Sequence, residues 1–64
     1  MIDIRALKAE IVRNGYNQAD VATAIGISAR TFTRRLQQRD FGMKEIEAMI
    51  DFLKIQKPAD IFFA

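Results

Sequence analysis

The sequence predicts an all-α fold, a compact five-helix bundle in one domain that spans residues 1–64. Apolar residues recur every three or four positions, which is the spacing of one helical face. Capping residues and glycines interrupt this spacing at short intervals, so the chain divides into short helices with short connections. A chain of 64 residues supports one small core, and such a core supplies about 3–5 kcal/mol of net stability.

The first two predicted helices begin at capping residues and end at glycines. Asp3 is a suitable N-cap for the first helix, and Asn14-Gly15 ends it because glycine readily adopts the left-handed conformation. The inward face of this helix carries Ile4, Leu7, Ile11 and Val12. Asn17 caps a second helix, predicted over Gln18–Ile25. Its inward face carries Val21, Ala22 and Ile25.

The third predicted helix starts after a break at Gly26. Ser28 is a good N-cap, and the helix is expected over about Ala29–Gln38. Its inward residues lie four positions apart, at Phe32 and Leu36.

A loop over residues 39–42 precedes two further helices. The first is predicted over about Met43–Lys54, and Pro58 fits the first position of the last, over about Pro58–Phe62. Glu45 and Glu47 lie in the first turn of the Met43–Lys54 helix, where negative charge suits the helix dipole. The core is expected to include Ile27, Phe41 and the apolar stripe of this helix: Met43, Ile46, Met49, Ile50 and Leu53.

The composition excludes several classes of function. The chain has no cysteine and no histidine, which removes disulfides, thiolate zinc sites and the commonest general base. We therefore expect no enzyme activity, no catalytic residue, no metal and no cofactor. No apolar run approaches the roughly 18 residues of a membrane span, and the N-terminus lacks the features of a signal peptide. A cytoplasmic protein is expected, and Met1 with the closing C-terminal segment favours a complete small protein.

Basic residues concentrate in the middle of the chain. Residues 28–44 hold five of the ten basic residues and one of the eight acidic ones, a net charge of +4 against −2 for the rest. A basic segment on an acidic remainder is typical of a surface that binds a polyanion. The alternative is an ordinary solvated face.

The stretch from Gln18 to about Leu36 has the pattern of a helix-turn-helix motif. Ala22 is small where two helices approach closely, and Gly26 allows a turn that a side chain would resist. Ser28 caps the second helix of the pair and directs its N-terminal end outward.

These residues resemble the lambda-repressor-like helix-turn-helix family, which includes the phage Cro and repressor proteins and the xenobiotic-response-element (XRE) type regulators. The resemblance is strongest in Gln-x-x-Val-Ala-x-x-Ile-Gly-Ile-Ser, from Gln18 to Ser28, and extends to residues 41–47 and 60–63. Many relatives have Asn-Gly after the second helix of the motif, where this chain has residues 37–40, Gln-Gln-Arg-Asp. Many also have an apolar residue at the position of Arg35.

The resemblance implies that the Ala29–Gln38 helix lies in the DNA major groove. The residues expected to contact bases are Ser28, Ala29, Arg30, Thr33 and Arg34. The residues expected to contact phosphates are Asn17, Gln18, Arg35, Arg39 and Lys44. Each has a structural alternative: the arginines as solvated charges, Gln18 as a helix-start residue, and Thr33 as a group bonded to its own helix.

The function expected from this resemblance is sequence-specific binding of double-stranded DNA by a phage or prophage type of regulator, a repressor or Cro-like protein. Such proteins usually bind two half-sites as symmetric homodimers. Ile55 and Phe63 are the candidates for the dimer surface. The alternative is a protein-interaction module that keeps the fold, such as an antirepressor or an antitoxin-like partner. Neither reading involves a membrane or a small-molecule substrate.

Overall fold

The computed structural model describes all 64 residues and contains five α-helices. They are α1 (Ile4–Arg13), α2 (Gln18–Ile25), α3 (Ala29–Gln38), α4 (Met43–Leu53) and α5 (Pro58–Phe62). The all-helical fold class is confirmed. Lys54, predicted as the last residue of the fourth helix, instead follows α4 with a left-handed backbone, at φ 53°.

The N-caps of the first three helices form as the sequence predicts. The Asp3 carboxylate accepts a hydrogen bond from the Ala6 amide at 3.1 Å. Asn17 and Asp20 form a reciprocal capping box at the start of α2, with bonds of 2.8 and 2.9 Å. The Ser28 hydroxyl accepts from the Thr31 amide at 3.1 Å. These bonds satisfy amides that have no partner inside the helix, so they fix where α1, α2 and α3 begin.

The core is apolar and draws on every helix. Val21 on α2 and Phe32 on α3 are fully buried, as are Leu7 on α1 and Met49 and Leu53 on α4. α2 packs chiefly against α3 and α4, while α1 packs against α5. The buried residues are Ile2, Leu7, Ile11, Val21, Ala22, Phe32, Leu36, Phe41, Ile46, Met49, Leu53, Ile55, Ile61 and Phe62. α2, the first helix of the motif, is therefore held by α4 as well as by α3.

The structure corrects two predicted core residues. Val12 is 73% exposed and Met43 is 60% exposed. The buried face of α1 includes Leu7 and Ile11, and Val12 lies about 100° further round the helix, beyond any packed neighbour. Met43 is the first residue of α4, and side chains on a helix tilt toward its N-terminus, so Met43 projects past the core. Ile27 and Ile50 are only partly buried against the core.

The two ends of the chain lie side by side. The Asp3 amide donates to the Ile61 carbonyl at 2.7 Å, and the Met1 ammonium donates to the Ala64 carbonyl at 3.1 Å. These bonds join α5 to the start of α1.

The longest helix, α4, has 11 residues, and no helix is both long and apolar enough to span a bilayer.

Candidate DNA interface

The turn between α2 and α3 depends on a left-handed glycine. Gly26 has φ 84°, its amide donates to the Thr23 carbonyl at 3.2 Å, and the Ile27 amide donates to the Ala22 carbonyl at 3.0 Å. This pair of bonds is a Schellman motif. No atom lies within 4 Å of the place where a Cβ on Gly26 would be, so the requirement for glycine comes from its backbone angle and not from crowding.

α3 ends in a second Schellman motif without a glycine. Arg39 takes the left-handed position at φ 54°, and its amide donates to the Leu36 carbonyl at 3.2 Å. The Asp40 amide donates to the Arg35 carbonyl at 3.1 Å. Arg39 therefore occupies the backbone position that glycine or asparagine usually fills. The helix ends at Gln38, as expected from the sequence.

The outward side of α3 is mostly polar, and Ala29 is its exposed apolar residue. Phe32 and Leu36 are buried on its inner side, and the opposite side bears a surface cleft of about 500 Å³. We call it the outer cleft; it is lined by Arg30, Thr31, Thr33, Arg34 and Gln37. This face offers guanidinium, hydroxyl and amide groups, which are the groups that hydrogen-bond to base edges and phosphates.

A second cleft, of about 280 Å³, lies where α1, α2 and α3 meet. We call it the α1–α3 cleft; it is lined by Ile4, Lys8, Gln18, Thr33, Leu36, Gln37 and Arg39. It brings together three of the predicted contact residues, Gln18, Thr33 and Arg39. It also contains Lys8 and Gln37, which sequence reasoning missed. Gln37 follows Thr33 by four residues and shares its helix face, a spacing that was available in the sequence.

The two clefts share Thr33 and Gln37 and have no acidic lining residue. Four cations line them: Lys8, Arg30, Arg34 and Arg39. The ion pairs of the protein lie elsewhere, between Arg13 and Glu10 and between Arg35 and Glu45. None of these four cations is in an ion pair, although Arg39 also lines a neighbouring cleft with Asp3 and Ala64. The surface formed by the two clefts therefore suits a polyanion.

Arg35, which the sequence predicted to contact a phosphate, is in an ion pair within the chain. Its guanidinium lies 3.0 Å from Glu45 Oε1, and the same carboxylate oxygen accepts from the Gly42 amide at 2.9 Å. Glu45 thus lies in the first turn of α4, where its charge suits the helix dipole as predicted, and it also bonds the Gly42 amide and a side chain of α3.

Several other predicted residues already use polar atoms within the fold. The Thr33 hydroxyl donates to the Ala29 carbonyl at 3.1 Å, which is the structural alternative stated for it. Ser28 Oγ accepts from the Thr31 amide and donates to Thr31 Oγ1, and Asn17 Oδ1 accepts from Asp20. Ser28, Ala29, Asn17 and Lys44 are exposed but line neither cleft.

The residues expected at a dimer surface differ in exposure. Phe63 is 62% exposed, whereas Ile55 is 7% exposed and belongs to the core. The expectation for Ile55 is corrected, because its side chain is already buried within the single chain.

The ion pair between Glu10 and Arg13 shifts the pKa of both groups and lies outside both clefts. The hydrogen bond from Arg13 lowers the pKa of Glu10 below its usual value, and the same bond raises the pKa of Arg13. No group of three or more His, Cys, Asp or Glu side chains is arranged to hold a metal ion.

The match to known families falls on the first three helices. A helix-turn-helix family model described as "Bacterial regulatory protein, Fis family" matches residues 2–38, more than half of the chain. The chain belongs to this Fis family. It is therefore a helix-turn-helix DNA-binding regulator. The matched segment ends at the last residue of α3 and leaves α4 and α5 outside.

The Fis-family match supports the predicted motif and names a different family from the lambda-repressor-like one that the motif resembles. No curated protein and no solved structure matches the chain.

Proposed function

We propose that this Fis-family protein is a sequence-specific regulator that binds double-stranded DNA with α3 in the major groove, in the manner of a phage repressor or Cro-like protein. The outward side of α3 carries the proposal, because it is mostly polar, exposed and bordered by clefts without carboxylates. With 10 residues, α3 is about 15 Å long. The major groove, about 12 Å wide, accommodates a helix of this kind.

The base contacts are assigned by chemistry and position on α3. Arg30 and Arg34 are exposed and unpaired, so each guanidinium is free to bond O6 and N7 of a guanine. Ala29 and the Thr33 methyl group suit the methyl group of thymine. The Thr33 hydroxyl is engaged with its own helix, which favours this apolar contact. Ser28 lies at the edge of the same face.

The phosphate contacts flank α3. Gln18 begins α2, where free amides and the helix dipole favour an anion. Arg39 lies at the exit of α3, and Lys44 is exposed at the start of α4. Asn17 retains its side-chain NH₂ group for the same phosphate side. Cytoplasmic location is proposed with this function, since bacterial DNA lies in that compartment.

Selection of bound sequences from a random duplex pool tests the proposal. We expect the recovered duplexes to share a motif, with binding that weakens steeply as salt increases. Arg30→Ala should relax the preference at one base position by about 1–3 kcal/mol. Arg13→Ala is the matched control, because Arg13 is an exposed arginine outside both clefts. Recovery of duplexes without a shared motif would contradict sequence-specific binding.

We further propose that two copies bind symmetric half-sites, with exposed Phe63 as the contact between them. The half-site spacing in the selected duplexes should then be about one helical turn. Sedimentation should give a dimer on DNA for the wild type and weaker assembly for Phe63→Ser. A monomer at high concentration, with and without DNA, would contradict dimerisation.

A further inference from the structure

Lys8 has no role in the assignments above, yet the fold places it beside the DNA face. It is an exposed residue on α1, distant in sequence from the basic segment at 28–44. In the folded chain it lines the α1–α3 cleft with Arg39, which is 31 positions later in the sequence. Only the folded arrangement of α1 beside α2 and α3 brings these two cations to one cleft.

The chemistry of the α1–α3 cleft suits a single anionic group. Ile4 and Leu36 contribute apolar lining, Gln18 and Gln37 contribute amide donors, and no carboxylate is present. Neither cation is in an ion pair of the protein. The Arg39 guanidinium makes a weak hydrogen bond to the Met1 sulfur at 3.4 Å. A lysine ammonium and an arginine guanidinium are the two groups that bind phosphate oxygens most strongly in proteins.

A third cleft of the protein has charged lining residues of both signs and serves as a comparison for the α1–α3 cleft. It measures about 430 Å³, and its charged lining is mixed in sign: Glu10, Arg13, Lys57 and Asp60. Lys57 is thus an exposed lysine with acidic neighbours in its cleft, while Lys8 has none in its own. The difference makes Lys57 a matched control for Lys8.

We propose that Lys8 and Arg39 bind one and the same DNA phosphate in the α1–α3 cleft. The inference rests on the proposed function, because it takes duplex DNA as the source of the phosphate. Thr33 and Gln37 line this cleft and the outer cleft together, so the bound phosphate is separated from the base-reading face by one row of side chains. α1 thereby becomes part of the DNA-binding surface and fixes how α3 enters the groove.

The test measures salt dependence of binding for the wild type, Lys8→Gln, Arg39→Gln, the double variant and Lys57→Gln. The probes are the duplex recovered by selection and a scrambled duplex of equal length. Each neutralised phosphate contributes about 0.9 to the slope of log K against log salt. If the phosphate is shared, the slope of log K against log salt should be shallower by about 0.9 in the double variant than in the wild type. If the two residues bind separate phosphates, the slope should be shallower by about 1.8. Each single variant should weaken binding by about tenfold on both duplexes, because phosphate contacts carry no sequence information.

A scan of single methylphosphonate substitutions along the selected duplex locates the contact. Neutralising one particular phosphate should weaken the wild type most and each of Lys8→Gln and Arg39→Gln less, and it should leave the double variant unaffected at that position. Lys57→Gln should respond like the wild type. Melting curves of all variants check that these exposed substitutions leave the fold intact.

The outcomes separate this inference from the proposed function. If the wild type binds duplex DNA and the double variant keeps its slope or loses about 1.8, the shared phosphate is refuted while DNA binding stands. Reduced sensitivity of the two single variants at different phosphates would refute it as well. If the wild type shows no salt-dependent duplex binding, the proposed function fails and the inference falls with it.

Discussion

Replacement of Arg39 by glycine should stabilise the fold and weaken DNA binding at the same time. Four helices of this protein end in Schellman motifs, with Gly15, Gly26, Arg39 and Lys54 at the left-handed position. The φ angles of the two cations are 54° and 53°. A left-handed backbone costs an L-residue roughly 1–2 kcal/mol. Glycine removes this cost but loses more backbone entropy on folding, so we expect a net gain of about 1 kcal/mol for each replacement.

Lys54→Gly is the matched control for Arg39→Gly. Both residues are exposed and follow their helices in the same geometry, but Lys54 lines neither the outer cleft nor the α1–α3 cleft. A gain of 1 kcal/mol raises the Tm of a domain of this size by about 4–8 °C, which melting followed by circular dichroism resolves. We expect both variants to melt higher and only Arg39→Gly to lose affinity and salt dependence for duplex DNA.

Each half of this prediction fails separately. If neither variant melts above the wild type, the left-handed strain assigned to these two residues is wrong. If Arg39→Gly binds DNA with the affinity of the wild type, the phosphate contact of Arg39 is wrong. An equal loss of affinity in Lys54→Gly would mean that overall charge, and not the position of Arg39, governs binding.

Three further predictions concern single side chains. Ser28→Ala removes the cap of α3 and should lower the free energy of unfolding by about 1 kcal/mol, measured by urea denaturation; an unchanged midpoint would refute the cap's role. Glu45→Gln frees Arg35, so duplex binding should tighten a few-fold and depend more steeply on salt, and weaker binding would contradict this. The hydrogen bond from Arg13 lowers the pKa of Glu10 in the folded state. The stabilisation from this pair is therefore fully present above the unfolded pKa of a glutamate, about 4.3, and it is lost as the pH falls through the lower pKa of the folded state. In Glu10→Gln, the free energy of unfolding should therefore fall less steeply as the pH is lowered. A fall as steep as that of the wild type would refute the stabilising role of the Glu10–Arg13 pair.

The helix bounds could be predicted because their signals are local. Asp3, Asn17 and Ser28 each cap the helix that follows them, and Pro58 begins α5. A cap depends on a side chain and an amide three residues later, so no tertiary information is needed to find it. The end of α4 was misjudged by one residue because Lys54 gives no sequence signal for a left-handed backbone.

The buried faces were predictable only where a helix has a packing partner along its whole length. Ile11 is buried and its neighbour Val12 is 73% exposed, although both lie on the apolar side of a helical projection. The helices that pack against α1 determine how wide its buried face is, so this width cannot be predicted from the sequence of α1 alone. The same reasoning applies to Ile55, which was expected at a dimer surface but is buried by other residues of the same chain.

The charge of the candidate DNA interface shows most clearly which information is missing from the local sequence. The segment 28–44 has a net charge of +4, but Glu45, immediately after it, pairs with Arg35 and removes one of its free cations. The α1–α3 cleft then adds Lys8 from a distant part of the chain. A polyanion responds to the unpaired cations that share one surface, whatever their positions in the chain. The basic segment alone therefore does not define the set of unpaired cations on this surface, because α4 supplies the partner of Arg35 and α1 supplies Lys8.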